Sequence, residues 1–349
     1  MPQPPDLRLG TRGSQLALWQ ANTVAARIVE TGGPPCRIVI IKTSGDRLQE
    51  VSLSEFGGKR LFVKEIEDAL LRHDVDLAVH SSKDMPAILP EGLTIAGALP
   101  REDALDAIVL PLSPVTSDVA SDSGRTAPSE AVSGFSRTLN TIEDLLAHLG
   151  PSPSIGTGSV RRVAQLMRLV PGARFAAIRG NLDTRLRKLD GGGHDALVLA
   201  AAGLRRLGFG SRISLALPVT ACVPAPGQGI VAIEIREGDE GVRRTVAQID
   251  DPAAAAALNA ERALVVALGG GCQTPIGALA SPVDDDGLAL VAAVISLDGR
   301  RVVRGQARGA RRDAVDIGRR LGAQLIADGA DEILAEVRRA HGEVEGRRL

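Results

Sequence analysis

The chain has 349 residues, 44% hydrophobic and 24% charged, with a formal net charge of −1, an ordinary globular composition long enough for two or three domains. Aromatic residues are 2% of it, with no Tyr and one Trp, so the stacking platforms of single-strand binders are missing, and the near-neutral charge lacks the basic footprint of a duplex binder. Three scattered cysteines, Cys36, Cys222 and Cys272, argue against a disulfide framework, no metal-ligand spacing occurs, no apolar run approaches the ~20 residues of a membrane span, and the start Met1-Pro2-Gln3-Pro4-Pro5-Asp6 carries no export signal.

These bounds read as a reduced, cytoplasmic protein. Strands alternate with helical patterns from Leu7 to about Leu110, and again from Ser154 to Ile235, which predicts α/β with largely parallel sheets. Leu7-Arg8-Leu9 leads through Gly10-Thr11-Arg12-Gly13-Ser14 into a helix with the stripe Ala17, Ala21, Val24, Ile28. Lys59 follows Gly57-Gly58 and falls on a loop over the cleft, whereas Phe62 opens the core-like stripe Phe62, Ile66, Ala69, Leu70. The apolar strand Asp76–Val79 then runs into His80-Ser81-Ser82-Lys83-Asp84-Met85-Pro86. Sites in open α/β sheets collect at this end of a strand. Pro86 keeps Met85 out of helical conformation, so Asp84 is presented on extended chain, where a carboxylate can stabilise cationic nitrogen or move a proton. A solvated Lys83–Asp84 pair fits the same residues equally well. Residues 111–136, rich in Ser, Pro, Asp and Gly, read as a disordered insertion in a surface loop.

Two further strand–turn–helix units follow. Ser154-Ile155 passes through Gly156-Thr157-Gly158-Ser159 into Val160–Val170, and Phe175–Ile178 through Arg179-Gly180-Asn181 into Leu182–Leu189. Such turns aim backbone N–H groups from a helix start and can cradle an anion. Ser and Asn there can also serve as N-caps alone, but three such turns, each with an Arg, favour an anion site. Arg161, Arg162, Arg168, Arg174, Arg179, Arg185, Arg187 and Lys188 stand against a single acid, Asp183, a local excess of seven positive charges. Like charges so crowded repel unless something anionic compensates them, and the Arg fork suits carboxylates and phosphates. The ligand this implies is a small molecule with several negative groups. Asp195–Leu199 followed by Ala-Ala-Gly-Leu-Arg-Arg echoes the strand ending at Val79, which predicts two similar α/β lobes with ligand between them. Pro224-Ala225-Pro226-Gly227-Gln228-Gly229 has the composition of a hinge.

A small α+β region begins near Asp251, with a helix over Pro252–Leu268, strands Leu288–Leu297 and Arg301–Ala307, and helices Asp313–Ala327 and Asp331–Ala340. Cys272 follows Gly269-Gly270-Gly271, which end the first helix and leave the thiol on an accessible loop. That placement favours an attachment point or nucleophile over a packed hydrophobe, the reading kept for Cys36 and Cys222. No triad accompanies it, and His80 or His194 is the choice for a base.

The motifs from Thr11 to Gln20, Gly57-Gly58-Lys59, Leu61-Phe62-Val63-Lys64-Glu65, the 80–86 loop, Arg161-Arg162, Arg179-Gly180-Asn181, Pro226-Gly227-Gln228-Gly229 and Gly270-Gly271-Cys272-Gln273 together resemble the hydroxymethylbilane synthase (porphobilinogen deaminase) family. The resemblance implies three domains, two periplasmic-binding-protein-like α/β lobes (1–104 with 229–247, and 105–228) and a C-terminal α+β domain (251–349). It implies a monomeric cytoplasmic transferase of porphyrin biosynthesis that joins four porphobilinogen molecules on a dipyrromethane cofactor, held as a thioether by Cys272, with no nucleic-acid or membrane partner. Asp84 would assist loss of ammonia. Lys83, Ser159, Arg161, Arg162, Arg185 and Arg206 would hold the cofactor, while Arg12, Ser14, Gln20, Lys59, Phe62 and Arg179 would meet substrate. Arg60 replaces the family's Gly, Ser82 a larger apolar residue and Gly158 a Ser. The competing reading is a two-lobed solute-binding protein for an organic polycarboxylate, which predicts no covalent adduct and expects an export signal.

Overall fold

The computed structural model describes residues 6–43, 63–112, 136–271 and 274–346, with side chains up to residue 340. The first lobe is a five-stranded sheet built on β1 (Leu7–Thr11), β2 (Cys36–Ile40), β3 (Leu77–Ser81), β4 (Leu93–Ala98) and a late strand, β10 (Val231–Arg236), in the order β2-β1-β3-β10-β4. Helices α1 (Gln15–Glu30), α2 (Lys64–Leu71) and α7 (Glu240–Ala247) cover it. The second lobe repeats the plan with β5 (Asp106–Val109), β6 (Ser154–Gly156), β7 (Arg174–Ala176), β8 (Ala196–Ala200) and β9 (Leu215–Ala216), ordered β7-β6-β8-β5-β9. Its helices are α3 (Ile142–Leu149), α4 (Val160–Leu169), α5 (Leu182–Asp190) and α6 (Ala201–Arg206).

The expectation of largely parallel sheets needs correction. β1 runs parallel to β2 and β3, but β10 is antiparallel to both β3 and β4. Likewise β6 is parallel to β7 and β8, while β5 opposes β8 and β9. The reason is the chain path. The strand filling the fourth place in each sheet has just crossed from the other lobe, β5 after β4 and β10 after β9, and enters against its neighbours. Two chain segments therefore join the lobes, at 99–105 and 217–230.

The C-terminal domain is an antiparallel sheet of β11 (Ile276–Val283), β12 (Gly287–Ile295) and β13 (Val302–Ala310), packed with α8 (Pro252–Ala267), α9 (Ala314–Ala327) and α10 (Ala330–Gly346). Sequence reading placed β12, β13 and the helices within a few residues and missed β11. Helix α8 starts on an Asp251 cap with Pro at the first turn, where neither a missing N–H nor a fixed φ costs anything.

Apolar packing binds this domain to the first lobe. Met85, Ala98, Ile230 and Ala232 share one buried cluster with Leu258, Leu264, Ile276 and Leu290. Each fully buried Leu, Ile or Met side chain of this kind contributes about 1.5–3 kcal/mol. Its cluster with the second lobe is smaller, with Ala164 and Val223 against Ala293 and Ile295.

Candidate active site

β3 ends in the 80–86 loop, and four contacts fix its entry. His80 Nε2 lies 3.0 Å from Glu234 Oε2, both side chains buried. The Gln20 amide donates to Ser81 Oγ at 2.9 Å, and Ser82 N donates to Ile230 O at 3.0 Å. Ser82 Oγ is buried against Gly227, which has φ 74°, and a Cβ there would meet that oxygen. A short 3-10 turn over Ser82–Asp84 then leaves Lys83 half-buried and Asp84 exposed. Pro86 acts as expected on Met85, whose ψ is 149°, but its effect stops there: Asp84 closes the 3-10 turn and is not on extended chain as expected.

The second lobe brings the start of α4 to the same place. Asp106, the first residue of β5, is wholly buried and takes both neighbouring arginines. Arg161 donates to its two oxygens at 2.7 and 3.1 Å, Arg162 Nε at 2.8 Å and Gln228 Nε2 at 3.0 Å. Burial alone would raise the Asp106 pKa, but the two guanidinium charges hold it far below the usual carboxylate range. Arg161 also donates to Val223 O at 2.7 Å and is 4% exposed. Arg162 reaches Val198 O at 2.9 Å and Gln228 Oε1 at 3.5 Å. Cys222, beside them, donates to Asp106 at 3.3 Å, and burial pushes its thiol up to about 12.

Asp84 and Arg162 act electrostatically on both Lys83 and Arg185, and Arg179 acts on Arg185. Burial pushes the Lys83 ammonium down to about 8, with Asp84 opposing that shift and Arg162 adding to it. Arg185, whose Nε donates to Gly180 O at 2.8 Å, is pushed down by burial and by Arg162 and Arg179, again against Asp84. Among the described residues no carboxylate lies within ion-pair distance of Arg185. Cations held in this way are under-compensated, and an entering carboxylate would relieve them. Among the described residues the buried Arg161 Nε has no hydrogen-bond partner. The donor set therefore fits an acidic organic group.

Other expected residues stand elsewhere or in other roles. Ser14, Ser159 and Asn181 are helix N-caps, accepting from Ala17, Arg162 and Thr184 N. Arg12 and Arg179 are half-buried on their turns. Arg206 sits by the hinge, donating to Gly229 O at 2.6 Å with its guanidinium 5.5 Å from the Trp19 ring centre. His194 is hydrogen-bonded to Ser154. Cys272, Lys59, Phe62, Arg60 and most of the 111–136 insertion lie outside the described residues. Sequence reading missed Asp106, Glu234 and Trp19. An acid heading the apolar strand Asp106–Leu110 was the available signal for the first.

Residues 7–244 match the family model described as porphobilinogen deaminase, dipyromethane cofactor binding domain, and residues 255–327 match the porphobilinogen deaminase C-terminal domain. The porphobilinogen deaminase of Moorella thermoacetica is 43% identical over 342 residues, 98% of this chain and 99% of that protein. That of Syntrophobacter fumaroxidans is 44% identical, covering 96% and 98%. Among solved structures, an ancestral cationic amino acid solute binding protein aligns over 69% of this chain and 86% of its own, at 14% identity and a TM-score of 0.37.

Proposed function

The chain belongs to the porphobilinogen deaminase family, and on that premise we propose which of its residues carry the reaction. Its activity is that of a hydroxymethylbilane synthase, a transferase of porphyrin biosynthesis that uses a dipyrromethane cofactor. The solute-binding alternative is not favoured by these relatives. Porphobilinogen is the family's substrate, a pyrrole bearing an aminomethyl group and two carboxylates.

The observation that carries the assignment is Asp84, an exposed carboxylate at the end of β3, within electrostatic reach of Lys83 and Arg185. Loss of ammonia from an aminomethylpyrrole leaves positive charge shared with the ring nitrogen. Asp84 accepts a hydrogen bond from that N–H and stabilises the charge as it develops. It also stands ready to take the proton released when the new carbon–carbon bond forms. The cofactor, when bound, supplies the pyrrole carbon to which substrate is joined. We assign its thioether to Cys272 and its carboxylates to Lys83, Arg162, Arg185 and Arg206. The Ser159 hydroxyl retains a proton to donate to the same group. Arg161 serves the group by locking Asp106 and, through it, the direction of Arg162. Arg12, Ser14 and Arg179 bind the substrate's carboxylates, with Lys59 and Phe62 beside them. Gln20 acts through Ser81, which it holds.

We take the enzyme to act as a monomer, as its family resemblance implies. No helix among the described residues is long and apolar enough to cross a membrane. We place the enzyme in the cytoplasm, acting on a small molecule without nucleic-acid or membrane partners. Asp84→Asn tests the central assignment. Its turnover should fall by roughly 10²–10⁴-fold while its circular dichroism stays that of the wild type. Near-normal turnover would remove Asp84 from the chemistry.

A further inference from the structure

Glu261 and Arg262 are consecutive on α8, so their side chains leave the helix about 100° apart. Glu261 is wholly buried and closes on the hinge. Its carboxylate accepts from Arg101 Nη1 at 2.6 Å, Ala280 N at 2.7 Å and Gly227 N at 2.5 Å. Arg101 in turn donates to Gln228 O at 2.9 Å, so both segments that join the lobes are tied to this helix.

Arg262 points instead to the chain leaving the active-site loop. Its Nη1 donates to Pro86 O and its Nη2 to Ala87 O, each at 2.9 Å. These carbonyls stand two and three positions after Asp84. The intervening Met85 is buried in the apolar cluster that contains Leu258 and Leu264 of α8, and Ala87 and Leu89 pack against the same cluster. The loop's entry is held within the first lobe by Gln20, Ile230 and Glu234. Its exit is held by Arg262, from a different domain.

We propose that Arg262 is a positioning residue for the reaction, fixing through two hydrogen bonds how Asp84 is presented to substrate. A planar guanidinium that binds two successive carbonyls sets direction as well as distance, which one ammonium cannot do. The helix that supplies it continues in sequence to Cys272. Arg262 thereby registers the carboxylate of the first lobe against the helix leading to the cofactor's attachment point. Misplacing a catalytic group by about 1 Å can cost about 10²-fold in rate. The inference rests on the role given to Asp84 above.

Arg262→Met keeps the apolar stem and removes both donors, and Arg262→Lys returns a single donor group. Holoenzymes are to be assayed for tetrapyrrole formation, with intact mass and thermal midpoint recorded for each. Arg262→Met should lower kcat by about 10–100-fold with KM for porphobilinogen within about twofold of wild type. Its mass should still carry the cofactor, its midpoint should stay near wild type, and Arg262→Lys should recover part of kcat. Wild-type kcat in Arg262→Met would overturn the proposal. So would a loss of rate accompanied by a matching loss of folded protein or of cofactor. If Arg262→Met does not fold, wild-type kcat in Arg262→Lys overturns it equally. A wild-type enzyme that makes no tetrapyrrole in this assay would instead overturn the reading on which the inference rests.

Discussion

Lys83 shows how one residue records the chemistry its surroundings are built for. Burial lowers its pKa to about 8, and Arg162 and Arg161 press it the same way, against Asp84 and Asp106. The sign of the stability effect follows from linkage. Between about pH 8 and 10.5 the unfolded chain binds this proton and the folded chain does not, so stability from this group rises with pH across that window. The penalty is complete below about pH 8 and gone above the unfolded value. In cofactor-free protein, Lys83→Met should therefore be more stable than wild type at pH 7, by a margin that shrinks toward pH 10. Urea unfolding at the two pH values measures this, and an equal margin at both would show that the ammonium carries no such penalty. Cofactor carboxylates, placed at Lys83 as proposed above, would reverse the balance, because they favour the charged amine. The neighbouring Asp106 is different in kind. Its two guanidinium partners already neutralise it, and their forks make it the fixed point from which Arg162 is aimed.

At the scale of elements, the strand–turn–helix units were legible because caps, glycines and apolar stripes act over a few residues. Ser14, Ser159 and Asn181 do cap their helices, and Ala21, Val24 and Ile28 form the buried face of α1. Strand direction was not legible, because an apolar run reads the same both ways, and so β5 and β10 were missed as antiparallel. Partnerships across long separations were equally hidden. Arg161 meets Asp106 from 55 residues away, and Arg262 meets Pro86 from 176. Charge density alone announced the arginines, without indicating that two of them face a buried acid. The contact between α8 and α9 is another such partnership. Gly318 and Gly322 of α9 lie on Ala260, Ala263 and Ala267 of α8, and a Cβ at Gly318 would run into Ala260 O. Gly318→Ala should gain about 1 kcal/mol in helix propensity yet lose about 1–3 kcal/mol to overpacking. The expected outcome is a lower thermal midpoint; a raised one would mean that the helices separate freely.

For the whole molecule, the two lobes share a topology and each receives one strand from the other, so the cleft is bounded by two crossings rather than one flexible link. Glu261 and Arg101 lock both crossings to the C-terminal domain. The buried cluster shared with the first lobe makes those two a single packed body. Asp84 stands on that body, while Arg161, Arg162, Arg179 and Arg185 stand on the second lobe. With the roles proposed above, cations reach the site from both lobes, Arg12 and Lys83 beside Asp84 on the first and the four arginines on the second. The sole Trp of the protein, Trp19, spans the same divide by packing on Arg206.

The measurement that tests this most directly is the intact mass of the purified, denatured protein before and after incubation with porphobilinogen, with the modified peptide mapped. The expected result is a two-pyrrole adduct on the peptide containing Cys272, extended by single-ring increments once substrate is added. A chain that keeps its unmodified mass after that incubation would contradict the assignment of a covalently primed synthase.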